Sequence, residues 1–309
     1  MGGKASEVQT AGFLIALRAK GETVAELAGL ARAMREFAAL VTSKRENLLD
    51  TAGTGGGRPT FNVSTTAAFI AAGAGCAVAK HGNRSATSLC GSADVLEALG
   101  ARIDLSPDAV GHCIDELGFG FMFAPLHHPA MSHVVPVRKA LAVRTIFNFL
   151  GPLTNPAAAT RQLIGVSDPA YVEPMAAALG LLGGRSALVV SSEDGLDEVS
   201  VSGPTRMVEL RDGKLETRTL TPEDMGVDRF AADAVTAGDP ERNAQVTRAV
   251  LSGRPGAERA LAVVNAGAAI YVAGEAGDIP AGVRAAEEAI DSGAAEAALQ
   301  RFVEGTQRL

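Results

Sequence analysis

The chain has 309 residues, of which 47% are hydrophobic and 20% charged, with no Trp, two Tyr and a formal net charge of −7. That length accommodates one large α/β unit with a small appendage. The acidic balance and scarcity of aromatic platforms argue against nucleic acid as the principal partner.

Residues 7–18 and 23–40 carry helical periodicity, through Phe13, Leu14 and Leu17, then Leu27, Leu30, Ala31 and Met34. Gly21 separates the two, and Thr23 is placed to cap the second. From Leu48 onward short apolar strands alternate with helices, the strands falling at 48–52, 77–80, 120–123, 162–166 and 186–191. This alternation predicts an α/β domain with a mainly parallel central sheet flanked by helices. Segment 129–150 interrupts it, as helices broken by Pro129, Pro136 and Gly151-Pro152. A hairpin around Asp212-Gly213 follows, then helices over 240–252, 257–274, 280–292 and 293–304. The N-terminus lacks a signal-peptide pattern, and no apolar run is long enough to span a bilayer. Cys76, Cys90 and Cys113 form neither a CxxC pair nor an even disulfide set, so a reduced, cytoplasmic protein is expected.

Two strand-to-helix loops are suited to a phosphorylated ligand. The first, DTAGTGGGRPTFNVST from Asp50 to Thr65, has glycines that allow close backbone approach, and Ser64 or Thr65 is expected to cap the apolar helix that follows. It is not a Walker loop, having no GK[ST], and Arg58 stands where the dinucleotide fingerprint needs its third glycine. The second, Lys80-His81-Gly82-Asn83-Arg84 and onward to Ser92, joins cations, an amide and hydroxyls at a helix start, where free N–H groups and the dipole favour anions. Asp197-Glu198, in a turn after Gly195, can converge on one cation; a solvated acidic turn is the bland alternative. His127, His128 and His133 lack partnering Cys or carboxylates and read as structural or rim residues.

These loops, with HHPAMSHVVPVRKALAVRTIFNFLGPLTNP and DGLDEVS, resemble the anthranilate phosphoribosyltransferases in content and order. The resemblance implies transfer of the phosphoribosyl group of phosphoribosyl pyrophosphate to anthranilate in the second step of tryptophan biosynthesis. It also implies a small discontinuous all-helical domain (1–45 and 129–155) hinged on an α/β domain (46–128 and 156–309). Gly53, Gly56, Gly57 and Thr60 are expected at the diphosphate and ribose. Asn62, Ser64 and Thr65 are expected at the sugar phosphate, with Lys80, His81, Gly82, Arg84, Ser88 and Ser92 lining the far side, His81 either bonding ligand or, as the safer reading, bracing the loop. Asn83 and Arg138 are assigned to anthranilate, and Ser64, Asp197 and Glu198 to Mg²⁺. No covalent intermediate or strong base is expected, because an aromatic amine is already neutral. A cytoplasmic homodimer, and an association with anthranilate synthase components, are further expectations.

Three departures stand out. The family's loop reads GTGGD, whereas here GTGG runs into Gly57-Arg58-Pro59, one residue shorter and without the aspartate. Arg58 is therefore expected to add positive charge near the diphosphate, altering metal dependence with activity retained. Ser191-Ser192-Glu193 replaces a His-Gly-like turn before the acids, and the family carries further helix before position 1. A pyrimidine nucleoside phosphorylase of the same fold, or a non-catalytic nucleic-acid-binding paralogue, remain alternatives.

Overall fold

Two capped helices open the chain in this computed structural model, which describes residues 2–85 and 89–309. Ser6 with Gln9 starts α1 (Glu7–Lys20) and Thr23 with Glu26 starts α2 (Val24–Glu36), each pair forming a capping box over the open N–H groups. The periodicity of the second overruns its end. Beyond Glu36 the backbone turns away, and Ala39 N–H donates to His127 O instead. β1 (Leu49–Gly53) leads through the glycine loop into α3 (Val63–Gly73), buried along most of its length. β2 (Val78–Gly82) precedes α4 (Ser92–Ala98) and α5 (Pro107–Leu117). β3 (Phe119–Phe123) is followed by the Pro-broken series α6 (Ala124–His127), α7 (Val135–Leu141) and α8 (Phe147–Leu150).

The alternation resumes with β4 (Arg161–Gly165), α9 (Val172–Leu181) and β5 (Ser186–Ser192). The expected hairpin joins β6 (Thr205–Arg211) to β7 (Lys214–Leu220), with Asp212 and Gly213 both at positive φ as a tight two-residue turn requires. Then come α10 (Pro240–Leu251), α11 (Ala257–Ala273), α12 (Ile279–Asp291) and α13 (Ala294–Thr306). Among the described residues, no helix is long and apolar enough to cross a membrane.

The seven strands form one sheet in the order β3-β2-β1-β4-β5-β6-β7, parallel from β3 through β5 and antiparallel thereafter. Strand order runs one way from β1 to β3 and the other from β4 to β5. β1 and β4 therefore adjoin at a switch point, with Gly53 paired to Gly165 at their carboxyl ends. In open parallel sheets ligands bind in the crevice beyond such a point.

Each sheet face has its own core. On one, Phe69 of α3 stacks on Phe119 at 4.2 Å, and Phe302 of α13 meets Phe119 edge-on at 4.7 Å. On the other, Leu14, Leu17, Leu27 and Met34 share a core with Val137, Ile146, Phe149 and Leu150, and with Leu179 and Val189 below. The first two helices and the 129–150 region thus form one discontinuous helical layer seated on β4, β5 and α9.

Candidate active site

Four loops gather at the carboxyl ends of β1, β2, β4 and β5. The glycine loop and the acid turn touch because glycines leave room for Asp197. A Cβ on Gly57 would lie 2.5 Å from Asp197 Oδ1, one on Gly53 3.1 Å from Oδ2, and one on Gly165 would collide with the Asp197 carbonyl. Arg58 N–H donates to Gly195 O at 2.7 Å and completes the seam. Within the loop, Gly55 and Gly56 have φ of 65° and 86°, a region that side chains disfavour.

The two acids rest on groups suited to anions. The Asp197 carboxylate is supported by the Gly55 N–H, and Glu198 by the N–H of Ser64 in the first turn of α3. Burial raises Asp197 above the usual carboxylate range. Burial, reinforced by the Asp197 charge and opposed by Lys80, lifts Glu198 to about 8. Two like charges held together out of water are what a hard cation relieves, and Mg²⁺ takes one or two carboxylates plus substrate oxygens.

Beneath the loops runs a buried charge line. The Lys80 ammonium donates to Thr51 O and lies 3.3 Å from Ser64 Oγ. Asp50 accepts the His81 N–H at 3.0 Å and Asn155 Nδ2 at 2.8 Å. Burial pushes Asp50 up to about 6 and Lys80 down to about 8, each partly offset by the other's charge. Lys80 is thereby a fixed positive charge under the glycine loop. His81 braces rather than reaches out: its Nδ1 lies 3.2 Å from Gly151 O, and burial drives it down to about 3.

The glycine loop and the loop after β2 are stitched together. Asn62 Nδ2 donates to Cys90 O at 3.2 Å, while its Oδ1 accepts from Asn243 Nδ2 of α10 at 2.9 Å. Asn83 O accepts the Ala93 N–H at 3.2 Å, and a Cβ on Gly82 would come within 3.0 Å of Ser92 Cβ. Asn83 itself is exposed. Thr60 Oγ1 bonds locally to Phe61 O.

Several expectations need correcting. The residue at the N-cap of α3 is Asn62, so Ser64 and Thr65 lie inside the first turn and neither caps it; Thr65 Oγ1 is buried without a partner among the described residues. The Arg58 side chain is tied to the acid turn and to the segment before α10. Its guanidinium is held by Asp194 at 3.2 Å and Ala232 O at 2.6 Å, so it is a clamp on the acid turn rather than added charge for a diphosphate. Arg84 is engaged by Asp94 and Glu97 at 2.8 and 2.5 Å, which neutralises it on the rim. His127 and His128 are buried, with His127 Nδ1 lying 3.0 Å from Ala39 O. Ser88 lies outside the described residues.

Arg138 stands apart, half-buried on α7 with its guanidinium 5.7 Å from the Phe147 ring centroid. Among the described residues, no hydrogen bond or ion pair joins it to either loop. The sequence alone does not single out Asp50, Asn155 or Asn243, nor Ser167, whose N–H donates to Thr54 Oγ1 of the glycine loop at 3.2 Å. Ser167 had a usable signal: "LIGVSDP" ends a strand in a hydroxyl and an Asx-Pro turn, the grammar of the other ligand loops. The buried polar residues had none, because their roles depend on partners more than a hundred positions away, as for Asp50 and Asn155.

Comparison with known proteins matches this arrangement. Residues 45–296 fit the model of the glycosyl transferase family α/β domain, and residues 1–38 its helical bundle domain. The anthranilate phosphoribosyltransferase of Rubrobacter xylanophilus is 58% identical over 311 residues, covering 100% of this chain and 91% of that one; that of Symbiobacterium thermophilum is 54% identical over 310. The crystal structure of the Thermus thermophilus enzyme superposes with a TM-score of 0.94 at 47% identity, over 99% of this chain and 92% of that one. The Saccharomyces cerevisiae enzyme in complex with PRPP and Mg gives 0.90 at 30% identity, over 98% and 86% respectively.

Proposed function

Because the chain belongs to the anthranilate phosphoribosyltransferase family, we propose that its four converging loops carry out that family's reaction. The chain transfers the phosphoribosyl group of phosphoribosyl pyrophosphate to the amine of anthranilate, giving N-(5-phosphoribosyl)anthranilate and pyrophosphate. The observation that supports the site most strongly is the packing of Asp197 into the glycine seam at the sheet's switch point.

In the reaction the amine nitrogen bonds to C1 of the ribose as the C1–O bond to the diphosphate breaks. The amine's proton then leaves to solvent. The nucleophile is neutral from the start, so the work lies in positioning and in stabilising charge on the departing diphosphate. Gly53, Gly56, Gly57 and Thr60 form the wall for diphosphate and ribose. Asn62, Ser64 and Thr65 present the start of α3 to the sugar phosphate. Lys80, fixed under the loop, contributes constant positive potential. Asn83 and Arg138 orient anthranilate, the arginine by pairing its planar fork with the carboxylate. Ser64, Asp197 and Glu198 would hold Mg²⁺, which when bound supplies charge neutralisation to the diphosphate. Exposed Val8, Phe13 and Ile15 on α1 support a homodimer, and three buried thiols support the cytoplasm as its compartment. The same reading puts the chain beside anthranilate synthase components.

The test is loss of anthranilate fluorescence on mixing with phosphoribosyl pyrophosphate and Mg²⁺, run beside phosphorolysis of thymidine and uridine. The expected result is loss of fluorescence matched by pyrophosphate release, abolished by chelation and restored by Mg²⁺. Phosphorolysis without anthranilate consumption, or no turnover at any metal concentration, contradicts the proposal.

A further inference from the structure

Arg144 lies outside every residue assigned above, yet its guanidinium flanks the glycine loop. A Cβ on Gly56 would lie 3.5 Å from Arg144 Nη1 and 3.6 Å from Ser167 Oγ. Arg144 Nη2 donates to Ser167 Oγ at 2.9 Å, and the Ser167 N–H donates to Thr54 Oγ1 at 3.2 Å. Thr54, Ser167 and Arg144 therefore form a polar chain around the loop's left-handed turn at Gly55 and Gly56. The backbone of Arg144 is held as well, since its carbonyl accepts from Arg18 of α1, and its guanidinium lies 5.6 Å from the Phe149 ring centroid. The side chain is exposed, and no carboxylate forms an ion pair with it among the described residues. The positive charge that Arg58 fails to deliver to this loop is supplied here from the segment linking α7 to α8.

We infer that Arg144 grips the diphosphate of the donor substrate and stabilises it as it departs, with Ser167 positioning its guanidinium. This rests on the reading of the site given under the proposed function. A fork of N–H donors suits two neighbouring phosphate oxygens, and its charge counts most when the diphosphate carries the electrons of the broken C1–O bond. Because Arg144 is anchored to α1, it also ties the helical layer to the ligand.

The experiment measures inorganic pyrophosphate binding by calorimetry in the presence of Mg²⁺ for wild type, Arg144→Ala, Arg144→Lys and Ser167→Ala. Melting temperatures check the fold, and steady-state constants are taken for both substrates. Arg144→Ala is expected to weaken pyrophosphate binding about tenfold or more and to lower kcat/KM for the donor by at least as much. Arg144→Lys recovers part of both, and anthranilate affinity is unchanged. Ser167→Ala, which leaves the charge in place, shows a smaller loss. Wild-type pyrophosphate affinity in a folded Arg144→Ala variant overturns the inference while leaving the transferase reading intact. Equal loss of anthranilate and pyrophosphate binding also overturns it, since a mere prop would act that way. A wild-type protein that neither binds pyrophosphate nor consumes anthranilate overturns both.

Discussion

Arg138 and His81 show how differently two side chains from adjacent motifs are used. Arg138 is held by no ion pair among the described residues, so its fork remains available to a carboxylate. Arg138→Ala is expected to raise KM for anthranilate roughly 10- to 100-fold, the value of a charge-assisted bidentate contact. Pyrophosphate affinity should stay as in wild type; steady-state kinetics with each substrate varied in turn check this. His81 is an internal brace whose buried ring resists protonation, with His128 beside it at 5.0 Å between centroids and likewise lowered by burial, to about 4. Its folded pKa of about 3 lies below the unfolded value of 6.5, so the unfolded chain binds more protons between the two and stability is lost as pH falls through that window. The difference in unfolding free energy between wild type and His81→Asn is therefore expected to grow by on the order of a few kcal/mol as pH rises from 4 to 6.5, then level off, as urea titrations at several pH values would show. The sequence marks both residues, Arg138 for anthranilate and His81 as ligand contact or brace, but not the groups that hold them. Nothing in the order KHGNR says that His81 faces Gly151, or that Arg84 finds Glu97 thirteen positions on.

At the scale of elements, close crossings depend on missing side chains. α11 and α12 approach at Gly267 and Gly282, where a Cβ on Gly282 would strike the Gly267 carbonyl and one on Gly267 would lie 2.6 Å from Val283 N. Gly282→Ala is expected to destabilise by about 1–3 kcal/mol through overpacking, read as a lower urea midpoint with an unchanged slope. The activity of the molecules that remain folded should be preserved, because this crossing lies on α11 and α12, away from the loops. Most elements were legible: strands expected at 120–123 and 186–191 appear at Phe119–Phe123 and Ser186–Ser192, and the hairpin sits at Asp212-Gly213 as read. Apolar alternation and turn residues are local signals, so they survive in sequence. Sheet order is not local. The adjacency of β1 to β4, which creates the switch point, depends on long-range packing that the pattern of either strand leaves open.

For the whole molecule, chemistry belongs where two halves of the sheet diverge and where a helical layer leans over their ends. The discontinuous layer was read from family resemblance, since helical periodicity in residues 7–18 carries no information that Leu14 and Leu17 share a core with Phe149. The loop lacking the family's aspartate still closes, because Arg58 clamps Asp194 and Gly57 admits Asp197. Everything functional follows from where the activated sugar lies. A crystal structure of the protein soaked with phosphoribosyl pyrophosphate and Mg²⁺ decides this directly. The diphosphate is expected along Gly53–Gly57, the 5-phosphate at the start of α3, and the metal between Asp197, Glu198 and the diphosphate. A sugar bound away from the carboxyl ends of β1 and β2, or a metal that leaves both acids uncoordinated, would contradict this placement.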